Sequence, residues 1–156
     1  MSQSIRKAYN PELVVLVVED DMIFIKEMKH ALPQDTLVFA RTLEDAKARY
    51  DESMPNLIFL DISLPDGSGF ELLDYIMQRE PEAYVLILTG SKIDEDVVIA
   101  TKKGARGYII KPFTHSRIEQ AIQEYLDARE AGIKSHLTET RHNRQEALAA
   151  VEPKAE

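Results

Sequence analysis

Residues 57–69 have the sequence LIFLDISLPDGSG. Four apolar residues at 57–60 lead directly to Asp61, and a loop rich in proline, serine and glycine follows. A short apolar run bounded by turn residues is typical of a buried strand. A carboxylate at the mouth of such a strand is expected to take part in chemistry. The stretch therefore predicts a strand that delivers Asp61 to a functional site.

Three more apolar runs end in the same way, at polar residues that can bind or react. They are residues 13–18 before Glu19-Asp20-Asp21, residues 85–88 before Thr89, and residues 108–110 before Lys111-Pro112. If all four runs are parallel strands of one sheet, their carboxyl ends lie along one edge, where open α/β sheets bind ligands. That edge would hold three or four carboxylates, a hydroxyl and an ammonium group.

The clustered carboxylates indicate a metal site. Carboxylates that share a site repel each other, so either one pKa rises or a cation lies among them. An oxygen-lined pocket with few protein ligands suits Mg²⁺, which keeps several waters and shares phosphoryl oxygens. Asp61 then becomes a nucleophile toward a phosphoryl group, and the product is an aspartyl phosphate.

Strand and helix patterns alternate along the chain, which predicts right-handed βαβ crossovers and an α/β fold with a doubly wound parallel sheet. A further short strand is predicted at residues 36–39. Thr42 and Thr114 are predicted to be helix N-caps. The predicted helices are residues 22–32, 43–52, 69–79, 94–103 and 115–130.

Taken together, these residues resemble a known family, the receiver domain of bacterial two-component response regulators. The resemblance covers residues 13–126 and implies a flavodoxin-like, receiver-type fold, with a five-stranded parallel sheet and five flanking helices. It also implies a cis peptide bond between Lys111 and Pro112. The matching residues stand in the same order and at the same intervals: Glu19-Asp20, Asp61 followed four residues later by Pro65, Thr89, Tyr108 and Lys111-Pro112-Phe113.

The resemblance assigns roles at the site. It implies that Asp61 is the phosphoacceptor, that Thr89 and Lys111 bind the added phosphoryl oxygens, and that Tyr108 is a conformational switch.

The resemblance also implies a metal site and partners. Mg²⁺ would be bound by Asp20, Asp61 and the backbone carbonyl of Ser63, while Glu19 would act through water. The expected donor is a histidine kinase or a histidine phosphotransfer protein. An output protein is expected on the face around Tyr108 and the last receiver helix.

Simpler interpretations exist for several of these residues. Asp21 is explained by a helix N-cap alone, and Thr89-Gly90-Ser91 by an ordinary turn. Tyr108 is explained by packing in a strand, and Lys111 by a solvated strand end. The complete set of residues, rather than any one of them, favours the phosphoacceptor.

Three functions compete at this point. The leading one is a stand-alone phosphoacceptor that is not an enzyme and signals by protein contact. A phosphohydrolase of the haloacid dehalogenase type expects an acid two residues after its nucleophile, where this chain has Ser63. The third is an unphosphorylated scaffold or a ligand-sensing receiver that acts through its C-terminal tail, which carries Arg141 and Arg144.

Composition narrows the class of protein. The chain has 156 residues, a formal net charge of -8 and no cysteine. An acidic chain without a basic patch does not favour nucleic-acid binding, and no apolar run is long enough for membrane insertion. The absence of cysteine is compatible with a cytoplasmic protein.

The chain is predicted to have three parts. Residues 1–12 form an N-terminal arm, residues 13–130 the receiver domain, and residues 131–156 a C-terminal extension that is partly helical or disordered. Gly132 is predicted to end the fifth helix, and residues 135–151 to form another.

Overall fold

The computed structural model describes residues 13–33, 36–90 and 95–150, with side chains up to Gly132. The strands are β1 (Val15–Val18), β2 (Leu37–Ala40), β3 (Leu57–Asp61), β4 (Ser63–Leu64), β5 (Gly67–Ser68), β6 (Tyr84–Thr89) and β7 (Gly107–Ile110). The helices are α1 (Met22–Ala31), α2 (Leu43–Ser53), α3 (Gly69–Arg79), α4 (Glu95–Lys102) and α5 (His115–Ala150).

Five of the strands form one parallel sheet in the order β2-β1-β3-β6-β7. Val15 aligns with Leu37 on one side and with Leu57 on the other, so the neighbouring strands run in register. Each strand of this sheet is connected to the next one along the chain through a helix, as parallel pairing requires. The predicted fold, a doubly wound five-stranded parallel sheet with five helices, is confirmed for the described residues.

Both faces of the sheet are covered. Side chains alternate between the faces along each strand, and β1 and β3 are buried at every apolar position. One set packs with α2 and α3 in a single core cluster that includes Leu16, Ile58 and Leu72. The alternate residues, such as Val17 and Phe59, are fully buried on the opposite face. Strands that are buried on both faces have continuous apolar sequences. This is why the apolar runs in the sequence predicted these strands.

Polar side chains begin the helices at the predicted positions. Thr42 accepts a hydrogen bond from the N–H of Asp45 at 3.1 Å, and Asp21 accepts one from the N–H of Ile23 at 2.9 Å. Thr114 accepts one from the N–H of Arg117 at 3.2 Å. These bonds satisfy amides that have no partner within the first helical turn.

The predicted bounds are wrong in a few places. Residues 13–14 precede β1, and the N–H of Val14 bonds to the side chain of Asn56 at 2.8 Å instead of to a strand. Helix α3 has its predicted bounds, whereas α5 does not end at Gly132 but continues to Ala150. A single glycine lowers helix stability by about 1 kcal/mol without forcing a break. The predicted second helix therefore lies within α5 as far as Ala150, and the predictions for residues 1–12 and 151–156 fall outside the described residues.

The chain comprises two units. The first extends to Ile122 and contains the sheet. The second begins at Gln123 and consists, in its described part, of the remainder of α5. No helix in the described part of the chain is both long enough and apolar enough to cross a membrane.

Asp66 fixes the loop that follows β3. Its carboxylate accepts hydrogen bonds from the N–H groups of Leu43, at 2.6 Å, and Glu44, at 3.1 Å, in the first turn of α2. The bond from Leu43, together with that from Glu44, lowers the pKa of the Asp66 carboxyl despite some desolvation. A residue 23 positions away in the sequence thus tethers the loop between β3 and α3 to a helix N-terminus.

We expect Asp66→Asn to destabilise the fold at pH 7, because an amide brings only one acceptor and no charge to the helix N-terminus. The pKa of Asp66 is lower in the folded chain, so its stabilising contribution is complete above the unfolded value of about 3.9 and is lost as pH falls through the folded value. The gap in denaturation midpoint between wild type and variant should therefore shrink below about pH 4. Glu52→Gln, in the exposed last turn of the same helix, serves as the control. A gap that stays constant into strong acid would contradict the prediction.

Candidate functional site

The carboxyl ends of four neighbouring strands bring the predicted residues to one edge of the sheet. Glu19 and Asp20 follow β1, Asp61 is the last residue of β3, and Thr89 is the last residue of β6. Lys111 follows β7, and its N–H bonds to the carbonyl of Thr89 at 2.6 Å. Parallel pairing in register explains why groups from distant parts of the sequence arrive together.

The Lys111 ammonium lies between two carboxylates. Its Nζ contacts Oε2 of Glu19 and lies 3.0 Å from Oδ2 of Asp61. Burial acts to lower the pKa of Lys111, but the hydrogen bonds and charges of Glu19 and Asp61 outweigh it and raise that pKa. The ammonium therefore remains protonated and neutralises part of the acidic edge.

Glu19 is the most deeply buried of the acids, at 1 % exposure. Its Oε1 accepts the N–H groups of Asp20 and Asp21, each at 3.0 Å. Burial raises the pKa of the Glu19 carboxyl to about 7, with the nearby charge of Asp61 acting in the same direction, although Lys111 and the backbone bond from Asp21 oppose the shift.

Asp61 borders a small cavity. Its side chain is 13 % exposed, and its Oδ1 accepts the N–H of Ser63 at 3.0 Å. The cavity has a volume of about 80 Å³, and its walls include Asp61, Ser63, Thr89 and Lys111. A carboxylate, a hydroxyl-bearing side chain and an ammonium thus border the same space.

The acidic residues fit a hard divalent cation. Oxygens of Glu19, Asp20 and Asp61 all lie within 4.8 Å of one another, and Asp20 is exposed to solvent. A few carboxylates beside open solvent suit Mg²⁺, which dehydrates reluctantly and keeps several waters. The structure places Ser63 next to Asp61, while the predicted use of its carbonyl as a ligand stays a prediction.

Tyr108 lies apart from this cavity. It is in β7, its side chain is 38 % exposed, and it is not among the residues that line the space beside Asp61. Its role as a switch stays a prediction. Ser91, which follows Thr89 by two residues, falls outside the described residues.

Sequence reasoning missed residues that shape the site. A Cβ at Gly69 would lie 2.4 Å from the carbonyl oxygen of Asp61 and 2.9 Å from Cα of Ile62, so only glycine fits there without moving the backbone. Asp96, in the first turn of α4, lines the cavity beside Thr89. A glycine between a turn and a helix is a common pattern, and an acid in a first helical turn is ordinary. Neither residue could therefore be assigned to the site from the sequence alone.

Comparison with known proteins points to a single family. The sequence pattern of the response regulator receiver domain matches residues 15–123. Chemotaxis protein CheY of Listeria monocytogenes is 32% identical over 116 residues, which are 72% of this chain and 98% of that protein. Sensory transduction protein LytT of Bacillus cereus is 31% identical over 79% of this chain, which spans 51% of LytT.

Solved structures agree. The CheY-like receiver domain protein of Methanospirillum hungatei is 30% identical, has a TM-score of 0.70, and is matched over 98% of its length by 77% of this chain. The BeF3-activated receiver domain of DrrB is 31% identical, with a TM-score of 0.66 over 74% of this chain and 97% of that domain.

We expect Gly69→Ala to slow the predicted labelling of Asp61 by acetyl phosphate. The added methyl group must displace the Asp61 peptide, and a shift of about 1 Å at a reacting group costs on the order of a hundredfold in rate. A decrease of at least about tenfold, measured on protein shown to be folded by circular dichroism, is the expected result.

Gly132→Ala is the matched control for this substitution. A Cβ at Gly132 meets nothing within 4 Å, and alanine in a helix interior is favoured by about 0.5–1 kcal/mol over glycine. The control should be slightly more stable and should label at the parent rate. Equal labelling of both variants would show that Gly69 does not position Asp61.

Proposed function

Since the chain belongs to the response regulator receiver domain family, the phosphoacceptor domains of bacterial two-component signalling, we propose that it accepts a phosphoryl group on Asp61 and signals by phosphorylation-dependent protein contact. The observation that carries the proposal is the placement of the Lys111 ammonium 3.0 Å from Oδ2 of Asp61, beside a cavity that Thr89 also lines. The match to 98% of the chemotaxis protein CheY of Listeria monocytogenes supports a role in signalling.

In the proposed reaction an oxygen of Asp61 attacks the phosphorus in line with the bond to the donor. A P–O bond to Asp61 forms, the bond from phosphorus to the donor nitrogen or oxygen breaks, and the donor keeps that electron pair. Such transfers depend on positioning and on neutralising the charge of the phosphoryl oxygens. The N–H of Ser63 bonds to Oδ1 of Asp61 and so orients the carboxylate.

The cationic groups of the pocket then bind the product. Lys111 exchanges part of its contact with Asp61 for an oxygen of the new phosphoryl group, and the hydroxyl of Thr89 donates to another. Mg²⁺, held by Asp20 and Asp61 with the Ser63 carbonyl and with Glu19 acting through water, would supply further charge neutralisation on the phosphoryl oxygens.

Output is proposed to follow from movement of Thr89. When Thr89 shifts toward the phosphoryl group, Tyr108 turns inward from its exposed position, and the face formed by α4, β7 and the start of α5 changes shape. This is a population shift between two packings, biased by a local change of charge. The exposure of Tyr108 supports the proposal, because a ring that is exposed to solvent can turn inward when Thr89 moves.

The donor is proposed to be a histidine kinase or a histidine phosphotransfer protein that docks beside Lys111. A groove of about 320 Å³ lies there, and its walls include the apolar Ile23, Phe24 and Phe113 beside Lys111 and the acidic Asp21 and Glu27. Ile23 is 74% exposed. Because the groove shares Lys111 with the Asp61 cavity, a helix seated on these apolar residues would present its phosphohistidine to the reacting centre.

Two other functions fit less well. The haloacid dehalogenase mechanism needs a general acid two residues beyond the nucleophile, and the residue at that position here, Ser63, is not an acid. An unphosphorylated scaffold would leave the cluster of Glu19, Asp20 and Asp61 without a use, although such a cluster carries a repulsive cost.

Asp61→Asn should abolish acyl-phosphate formation, because an amide is not a nucleophile toward phosphorus. The measurement is the label transferred from acetyl phosphate, which should survive acid and be released by base. Asp21→Asn is the matched control: Asp21 caps α1 next to the acidic cluster, and its variant should still be labelled. Undiminished label on the Asp61 variant would sink the assignment.

Mg²⁺ should raise the melting temperature of the parent protein, because it binds only the native carboxylate cluster. At 100 times its dissociation constant a ligand adds about 2.7 kcal/mol to the free energy of unfolding. Asp20→Ala should remove this rise, and without Mg²⁺ it should be no less stable than the parent because one repelling charge is gone.

Asp21→Asn is again the control and should keep most of the rise. If Mg²⁺ leaves the parent unchanged, or stabilises the Asp20 variant equally, the metal site is assigned to the wrong residues.

A further inference from the structure

An open space that bears on the proposed output lies along the free edge of β7. This strand is last in the order β2-β1-β3-β6-β7 and pairs only with β6 among the described residues. A cavity of about 600 Å³ lies at this edge, and its walls include Tyr108, Ile110, Phe113 and Arg117. It is separate from the cavity that holds Asp61.

Arg117 brings a positive charge to this cavity without an acidic partner. Its Nη2 donates to the carbonyl of Tyr108 at 3.3 Å, while its Nη1 is enclosed and has no acceptor among the described residues. No carboxylate of the described residues forms an ion pair with Arg117. An enclosed donor without an acceptor is unfavourable, and a carboxylate is the group that a planar guanidinium pairs with best.

The position of Arg117 in α5 makes its charge harder to explain by folding alone. Its N–H bonds to Oγ1 of Thr114 at 3.2 Å, which places it in the first turn of the helix. A helix N-terminus carries partial positive charge, so a cation there is disfavoured. The two charges repel each other, and both attract an anion.

The surrounding sequence has the same sign. Residues 97–118 contain five basic residues and no acidic one, although the whole chain carries a net charge of -8. Lys103 is paired with Asp74 at 2.9 Å and Lys111 with Asp61 at 3.0 Å. Arg117, in contrast, is a cation of this segment that lines the cavity at the edge of β7. Beside it are the half-exposed ring of Tyr108 and the partly buried Ile110 and Phe113.

We propose that this cavity binds a segment of an output protein that carries an aspartate or glutamate next to an apolar side chain. The carboxylate pairs with the guanidinium of Arg117, and the apolar side chain packs on Tyr108 and Phe113. The inference deepens the proposed function, since it names the partner chemistry of the face that phosphorylation is proposed to reshape. Charge complementarity selects an acidic segment, because an uncompensated Arg117 and an acid-free stretch of chain would repel a basic one.

A display library of random peptides tests the proposal. Four full-length proteins, each activated with beryllofluoride and Mg²⁺, are used as separate baits. They are the parent, Arg117→Gln, Arg117→Lys and the matched control Lys102→Gln. Lys102 is exposed in the same acid-free stretch but does not line the cavity. We expect peptides selected by the parent and by the Lys102 variant to be enriched several-fold in aspartate and glutamate. The Arg117→Gln selection should lose this enrichment, and Arg117→Lys, which keeps the charge without the planar fork, should retain part of it.

A double-mutant cycle on one selected peptide makes the test quantitative. Replacing its acid by the matching amide should weaken binding to the parent by roughly tenfold, as for a charged hydrogen bond. The same replacement should have little effect on binding to Arg117→Gln. Equal losses with both baits, or a selection without acid enrichment, would overturn the proposal.

Two further measurements separate the remaining outcomes. If sedimentation shows that activation produces a dimer that Arg117→Gln abolishes, a second copy of this chain occupies the cavity and the assignment to an output protein is wrong. Labelling of Asp61 by acetyl phosphate is measured in parallel. Failure of labelling in the parent counts against the phosphoacceptor function, whereas labelled protein that selects no acidic peptide counts against the Arg117 site alone.

Discussion

The ammonium of Lys111, held between Glu19 and Asp61, is the interaction on which the site depends. Two unit charges about 4 Å apart repel by about 4 kcal/mol at an effective dielectric constant of about 20, and three carboxylates meet at this edge within 4.8 Å of one another. Lys111 and the backbone amides of residues 20 and 21 offset part of that repulsion. Because the compensation is incomplete, a further positive charge would be favourable at this edge, as the proposed phosphoryl acceptor with Mg²⁺ requires.

The fold supplies this geometry through backbone pairing more than through side-chain contacts. Parallel strands in register bring the ends of β1, β3, β6 and β7 to one edge, and the connecting loops then set the details. Gly69 allows its own backbone to approach the carbonyl of Asp61, and its N–H bonds to the carbonyl of Ile62 at 2.7 Å. Asp66 ties the same loop to α2 from the other side. The loop after β3 is therefore closed by the bond between Gly69 and Ile62 and tethered within by Asp66, and both contacts help to position Asp61.

The contrast between what the sequence predicted and what it did not follows from the range of the interactions. Strands such as β3 were predictable because a strand buried on both faces needs apolar residues at consecutive positions, and such a run is visible in the local sequence. Caps such as Thr42 were predictable because donor and acceptor are three residues apart. The role of Asp66 was not, since its partners lie 22 and 23 residues away. The continuation of α5 past Gly132 was missed because glycine is a weak helix breaker, and its effect depends on residues on both sides.

The short segment from Tyr108 to Arg117 joins the chemistry of the domain to its proposed recognition surface. Lys111 reaches into the Asp61 cavity from one end, whereas Arg117 reaches to the free edge of β7 from the other, and Phe113 lies between them against Phe24 with ring centroids 4.3 Å apart. Coupling between two sites needs an element with two arrangements that both sites bias. Only five residues separate Lys111 from Arg117, and the hydrogen bond from Arg117 to the backbone carbonyl of Tyr108 links this cation to the strand that carries the proposed switch. Under the proposed function, a shift of the β7 backbone that accompanies the turn of the Tyr108 ring would move the guanidinium, so phosphorylation of Asp61 would change how well the cavity receives a carboxylate.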